Sequence, residues 1–249
     1  MRIRVPLLAI LFLPLSLAAV PEAARTQAKA LYQTSLRQDD IRALETLQKA
    51  RELDPENPDV VYRMGFLYHK MNRTREAEIY YNDVIEMHAC MEKAHNNLGS
   101  ILLARNDQER AAEHYMAAIR CNPASVVAIY NLANIRSDQG KQTEAIDLYK
   151  QAIARNPGHA RSQHNLGLML LHRGQEKEDP ESLKESEKHL RIAVKLMPSD
   201  PLAHFNLANA LLSMGKSQEA MPLLRRADSL CDGRPSLRKK IREKIESLR

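Results

Sequence analysis

The triplet Asn-Leu-Gly/Ala returns along this chain at near-fixed spacing: Asn97-Leu98-Gly99, Asn131-Leu132-Ala133, Asn165-Leu166-Gly167 and Asn206-Leu207-Ala208. The first two steps are 34 residues and the third is 41. A period of this size marks a stacked repeat, in which a lone unit cannot bury its own apolar face. With the Leu as position 7, position 8 is small (Gly65, Gly99, Ala133, Gly167, Ala208). Position 20 is also small (Ala43, Ala77, Ala111, Ala145, Ser186, Ala220), and position 24 is bulky (Leu47, Tyr81, Tyr115, Tyr149, Leu190, Leu224). Position 27 is Ala in every unit except at Val84, and Pro55, Pro123, Pro157 and Pro198 stand at position 32.

Positions 20, 24 and 27 fall on one face of a helix. Small residues at 8, 20 and 27 let two helix backbones approach, and bulky residues at 7 and 24 fill the space between units. Position 15 holds Asn72, Asn106, Gly140, Gly174 and Gly215, residue types that tolerate the left-handed conformation ending a helix. The proline near position 32 stops the second helix. Each unit therefore reads as two antiparallel helices.

This pattern resembles the tetratricopeptide repeat (TPR). The resemblance implies an all-α, right-handed superhelical solenoid of about six helix-turn-helix units over 24–234: 24–57, 58–91, 92–125, 126–159, 160–200 and 201–234. The first unit departs most, with Ala30, Leu31 and Gln38 at positions 7, 8 and 15. The fifth carries an acidic insertion between Gly174 and Ser186, expected to lengthen the inter-helix loop and the second helix, with Asp179 capping and Pro180 opening that helix. Residues 235–249 carry an apolar stripe (Leu237, Ile241, Ile245, Leu248) and a basic face, and are expected to cap the last unit. A basic helix lying on a membrane surface is the alternative.

Residues 1–19 stand outside the repeat. Arg2 and Arg4 precede an apolar run, and Ser16-Leu17-Ala18 offers small residues for cleavage. This is the pattern of a secretory signal peptide, with an uncleaved anchor as the alternative. The expected location is the periplasm, or the secretory pathway or exterior of a eukaryote. The formal net charge of +6 falls by two without this segment, too little to indicate a nucleic-acid partner. Three cysteines remain, Cys90, Cys121 and Cys231, so at least one is free or pairs outside the chain. Asn72-Arg73-Thr74 is an N-glycosylation sequon on an inter-helix turn.

The TPR resemblance also directs attention to the first helices, which line the inner groove of such arrays. Position 6 there is Arg63, Asn97, Asn131, Asn165 and Asn206, and position 9 adds Asn134 and Asn209. The row is similar to the asparagine ladder of the O-GlcNAc transferase TPR region, which implies carboxamides gripping an extended peptide backbone. Tyr62, Tyr130 and Arg161 are expected to tune the choice of ligand, and Arg63, Lys70, Lys93 and Arg161 against Asp59 and Asp138 suggest a modest preference for acidic segments. No phosphate loop, His-Glu-x-x-His pattern or nucleophile elbow occurs in the sequence. His88, Cys90 and His95 alone are too few to argue for a metal. The expectation is a non-catalytic scaffold without cofactor or metal, binding a protein or peptide in the groove. Two alternatives remain open: an accessory subunit of a lumenal O-mannosyl or O-GlcNAc glycosylation system, and a bacterial periplasmic assembly scaffold.

Overall fold

The computed structural model describes residues 20–248; the expected signal peptide at 1–19 lies outside them. Among the described residues there are thirteen α-helices and no strand. In chain order they are α1 Glu22–Ser35, α2 Asp40–Leu53, α3 Pro58–Lys70, α4 Thr74–Met87, α5 Glu92–Ala104, α6 Gln108–Cys121, α7 Val126–Asp138, α8 Gln142–Arg155, α9 Ala160–Glu176, α10 Pro180–Leu196, α11 Pro201–Ser213, α12 Ser217–Ser229 and α13 Pro235–Glu246. The chain divides into two compact units, one ending at Met87 and the other starting at His88. In the first, α1 packs on α2 and α3 on α4. In the second, the pairs α5–α6, α7–α8, α9–α10 and α11–α12 stack in sequence and α13 lies on α12. Within each unit the architecture is all-α, built of stacked antiparallel helix pairs as the TPR resemblance implies.

The helices end where local chemistry ends them. Asn72, Asn106, Gly140 and Gly215 take φ of 61°, 64°, 72° and 74° after their first helices, and the next residue donates its N–H back across the turn, as Asp107 does to the Leu102 carbonyl. The second helices end at residues in extended backbone, such as Asn122 and Asn156 with φ of −138° and −140°, just before proline. Asp39, Asn57, Asp107, Asp179 and Asp200 cap helix starts by accepting backbone N–H groups. The turns between repeats are held by a second device: His95 Nε2, Gln163 Nε2 and His204 Nε2 each lie 2.9–3.1 Å from the carbonyl six residues earlier, of Ala89, Pro157 and Pro198.

Packing explains the small-and-bulky pattern. A Cβ at Gly99 would stand 3.0 Å from the Tyr115 ring, so the missing side chain gives that buried ring room to approach the first helix. The insertion in the fifth repeat corrects the sequence expectation. It leaves the loop at three residues and lengthens both helices, to 17 residues each. Gly174 does not end α9 but lies inside it, where a Cβ would meet Leu183 Cδ2 at 2.7 Å; Glu178, at φ 50°, makes the left-handed turn instead. Asp179 and Pro180 open α10, with the Asp179 carboxylate accepting from the Glu181 N–H.

Candidate partner-binding face

Within residues 88–248 the ladder begins with the buried tyrosines of the second helices. Tyr115 and Tyr149 are fully enclosed, and burial pushes both phenols up to about 12. Each has an asparagine of the following repeat, sixteen residues on, at its hydroxyl: Asn131 for Tyr115 and Asn165 for Tyr149. The second case is drawn in full. Tyr149 Oη donates to Asn134 Oδ1 at 2.6 Å, and Asn165 Nδ2 lies 3.0 Å from the same oxygen and 3.3 Å from Tyr149 Oη.

The network continues through His164. Its Nδ1 lies 3.3 Å from Asn165 Oδ1, and its Nε2 lies 2.9 Å from Asn206 Nδ2. A carboxylate-free pair of amides fixes the tautomer: Asn206 donates to Nε2, so the proton sits on Nδ1 and is donated to Asn165. Burial lowers the His164 pKa, which keeps the ring neutral as this arrangement requires. Polar atoms of three successive repeats are thus joined as Asn206, His164, Asn165, Asn134 and Tyr149.

Four members of the network, Tyr149, Asn134, Asn165 and Asn206, border two neighbouring cavities. One, of about 430 Å³, is bordered by Leu103, Tyr130, Asn134, Asp138, Asn165 and Leu168, among others. The next, of about 520 Å³, is bordered by Leu168, Phe205, Asn206, Asn209, Leu212 and Lys244, among others. Leu168 borders both, so the two cavities are neighbours along α7, α9 and α11.

The predicted site residues therefore fall into groups. Tyr130, Asn134 and Asn165 border the first cavity, and Asn206 and Asn209 the second. Asn165 is half-buried and Asn206 buried, and the network takes up polar atoms of both. Asn97 and Asn131 are half-buried on α5 and α7, and Arg161 is exposed at the start of α9. Tyr62 lies in the other unit, its ring 5.9 Å from that of Tyr81. In that unit Lys70 is paired with Asp40 at 2.7 Å, and Arg63 lies over the Phe66 ring. Asn72 is exposed at the turn between α3 and α4. Sequence reasoning passed over Leu103, Leu168 and Lys244; Phe205 stands at position 5, a groove position of the repeat. Leu168 stands at the same repeat position as Asn134 and Asn209, and that register was the signal for it; Lys244 comes from α13, where no repeat position points to it.

Two other sequence features resolve differently. Cys90 and Cys121 form a disulfide with a Cα separation of 5.1 Å, while Cys231 is free and buried. The Cys90 sulfur is thereby bonded, and His95 Nδ1 lies 3.0 Å from His114 Nδ1. The apolar stripe of α13 is turned onto the last repeat: Ile241 is buried, and Leu237, Ile245 and Leu248 pack beside it against Leu207, Leu211 and Leu224. No helix among the described residues is long and apolar enough to cross a membrane.

Comparison with known proteins agrees with this architecture. Models described as tetratricopeptide repeat match residues 41–89, 92–125, 130–185 and 181–235. A BBSome complex member, the BBS4 homolog of Drosophila melanogaster, is 31% identical over 83 residues, covering 33% of this chain and 17% of that protein. The chain thus matches only a small part of that relative's length. Among solved structures, PilF of Pseudomonas aeruginosa superposes with a TM-score of 0.76 at 14% identity, covering 90% of this chain and 100% of that one. YrrB, described as a TPR protein with an unusual peptide-binding site, gives 0.66 at 16% identity, covering 80% and 99%. The repeat register, the stacked helix pairs and the family models over most of the chain lead to one conclusion: it belongs to the tetratricopeptide repeat family.

Proposed function

We propose that this chain is an exported, non-catalytic scaffold that holds an extended segment of a partner protein along the first helices of the repeats in residues 88–248. The observation that carries this is the pair of neighbouring cavities sharing Leu168, with apolar walls (Leu103, Leu168, Phe205, Leu212) and carboxamides at intervals. An extended segment suits such a surface: its side chains enter apolar hollows while its backbone amides meet carboxamides that are both donor and acceptor. Asn209 is the primary contact, with Tyr130, Asn97, Asn131 and Arg161 along the same helices. Asn134, Asn165 and Asn206 contribute the groups the network leaves over.

Export is supported by the basic and apolar pattern of residues 1–19 and by the Cys90–Cys121 disulfide, since such bonds persist in oxidising compartments. Asn72 would accept a glycan only in a eukaryotic secretory pathway.

Peptides selected from a random library on the mature chain test the reading. Leu168→Glu sets a charge in the shared wall and should weaken the selected peptides by about thirtyfold, on the order of 2 kcal/mol. Ala154→Glu, on the exposed side of α8, should leave them unchanged. Equal binding by the Leu168 variant would place the site elsewhere.

A further inference from the structure

We infer that the α13 end of this face receives the acidic side chains of the bound segment, on Lys240 and Lys244. The inference rests on the groove reading above and adds its polarity. Most of the charge on and beside α13 is already matched. Arg234 pairs with Asp200 at 3.4 Å, Arg242 with Asp228 at 3.0 Å, Arg238 with Asp232 at 2.9 Å, and Lys239 with Glu243 at 3.9 Å. Lys240 and Lys244 are exposed and make no ion pair among the described residues.

Their placement gives these two charges a direction. They stand one helical turn apart on α13 and border one hollow together with Phe205 and Glu243. Lys244 and Phe205 also border the second cavity of the groove, beside Asn206 and Asn209. A segment leaving that cavity over Phe205 therefore meets two ammonium groups and one carboxylate, the latter shared with Lys239. At the other end of the pair the first cavity is bordered by Asp138. The face is thus basic at α13 and acidic towards α7. Complementary charge favours a segment whose apolar residues lie over Leu168 and Phe205 and whose aspartates or glutamates follow at α13. Of the cations the repeat register suggests, Lys70 is paired with Asp40 in the other unit.

The test selects random peptides on the full mature chain and compares wild type with the double variant Lys240→Glu, Lys244→Glu. Wild type should enrich peptides with a cluster of Asp or Glu after an apolar stretch. Those peptides should bind the double variant about tenfold more weakly, the scale of two exposed ion pairs lost, and lose affinity with added salt. Replacing their acids by amides should do the same, while amidating their C-terminus should not. Should the double variant melt early, Lys240→Gln with Lys244→Gln serves in its place, with a smaller loss in the same direction. Three results overturn the inference. Enriched peptides with no acidic preference, or indifferent to the lysine changes yet blocked by Leu168→Glu, would remove the acidic end and keep the groove. Affinity that depends on a free C-terminus rather than on side chains would replace the ligand chemistry. Peptides indifferent to Leu168→Glu as well would remove the groove reading itself.

Discussion

Repeats three and four differ from repeats five and six at one position of the second helix, and the asparagine ladder changes with it. In the first pair, position 24 is tyrosine, and the next repeat's asparagine lies at its hydroxyl, Asn131 at Tyr115 and Asn165 at Tyr149. In the second pair, position 24 is Leu190 or Leu224, with no hydroxyl to satisfy. Asn206 follows Leu190 at the same spacing, and it turns to His164 instead. The same residue at the same register thus does two jobs. What decides between them is whether the preceding repeat buries a polar atom, because a buried hydroxyl left alone costs far more than one paired hydrogen bond returns.

Truncation should separate the two regions most strongly. Tyr149→Ala removes a fully buried ring and the network's anchor, and should cost about 3–5 kcal/mol, while Leu190→Ala should cost about 2–5 kcal/mol. The tyrosine site should also loosen Asn165 and Asn134, which amide exchange or backbone NMR would show as lost protection around α9; the leucine site should not. Urea unfolding gives the energies. If the two variants produce the same pattern of exchange, the polar link between repeats is idle.

A smaller effect is expected from the asparagines themselves. Asn165→Ala leaves His164 Nδ1 and the Tyr149–Asn134 pair short of a partner, and should cost about 1–3 kcal/mol. Asn131→Ala strips the buried Tyr115 hydroxyl of its asparagine and should likewise cost about 1–3 kcal/mol. A cost near zero at either position would mean that the polar link between those repeats is idle.

The smallest effect is with pH. Burial holds the folded-state pKa of His164 below its ordinary value near 6.5, so the unfolded chain binds the proton more readily. The stability this contributes is present above about pH 6.5 and is lost as pH falls from there through the lowered folded value. Protonated Nε2 can no longer accept from Asn206. His159 and His189 are lowered by burial as well and add to the same slope. Urea midpoints should fall on acidification below neutrality, and His164→Asn should flatten that fall. An unchanged slope in the variant would assign the effect to the other histidines.

The fold was legible in the sequence because its packing rule is local and periodic. Gly99 and Tyr115 sit sixteen residues apart in one hairpin, and only a small residue facing a ring satisfies both. The insertion was less legible because glycine has two uses. Gly174 stands at the register of a helix end, yet it serves as a close approach to Leu183, and sequence alone does not distinguish these. The candidate site was legible only as a row of positions. That Asn165 faces Tyr149 and Asn134 depends on how one repeat is rotated on the next, and that Lys244 reaches the groove depends on how α13 docks. Neither rotation is written in a single repeat.

Photo-crosslinking from chosen positions measures most directly whether a partner lies along α7, α9 and α11. A photoreactive side chain at Leu168 or at Asn209 should capture a selected peptide, and one at Ala154 on α8 should capture none. Capture from Ala154, with Leu168 and Asn209 silent, would contradict the account.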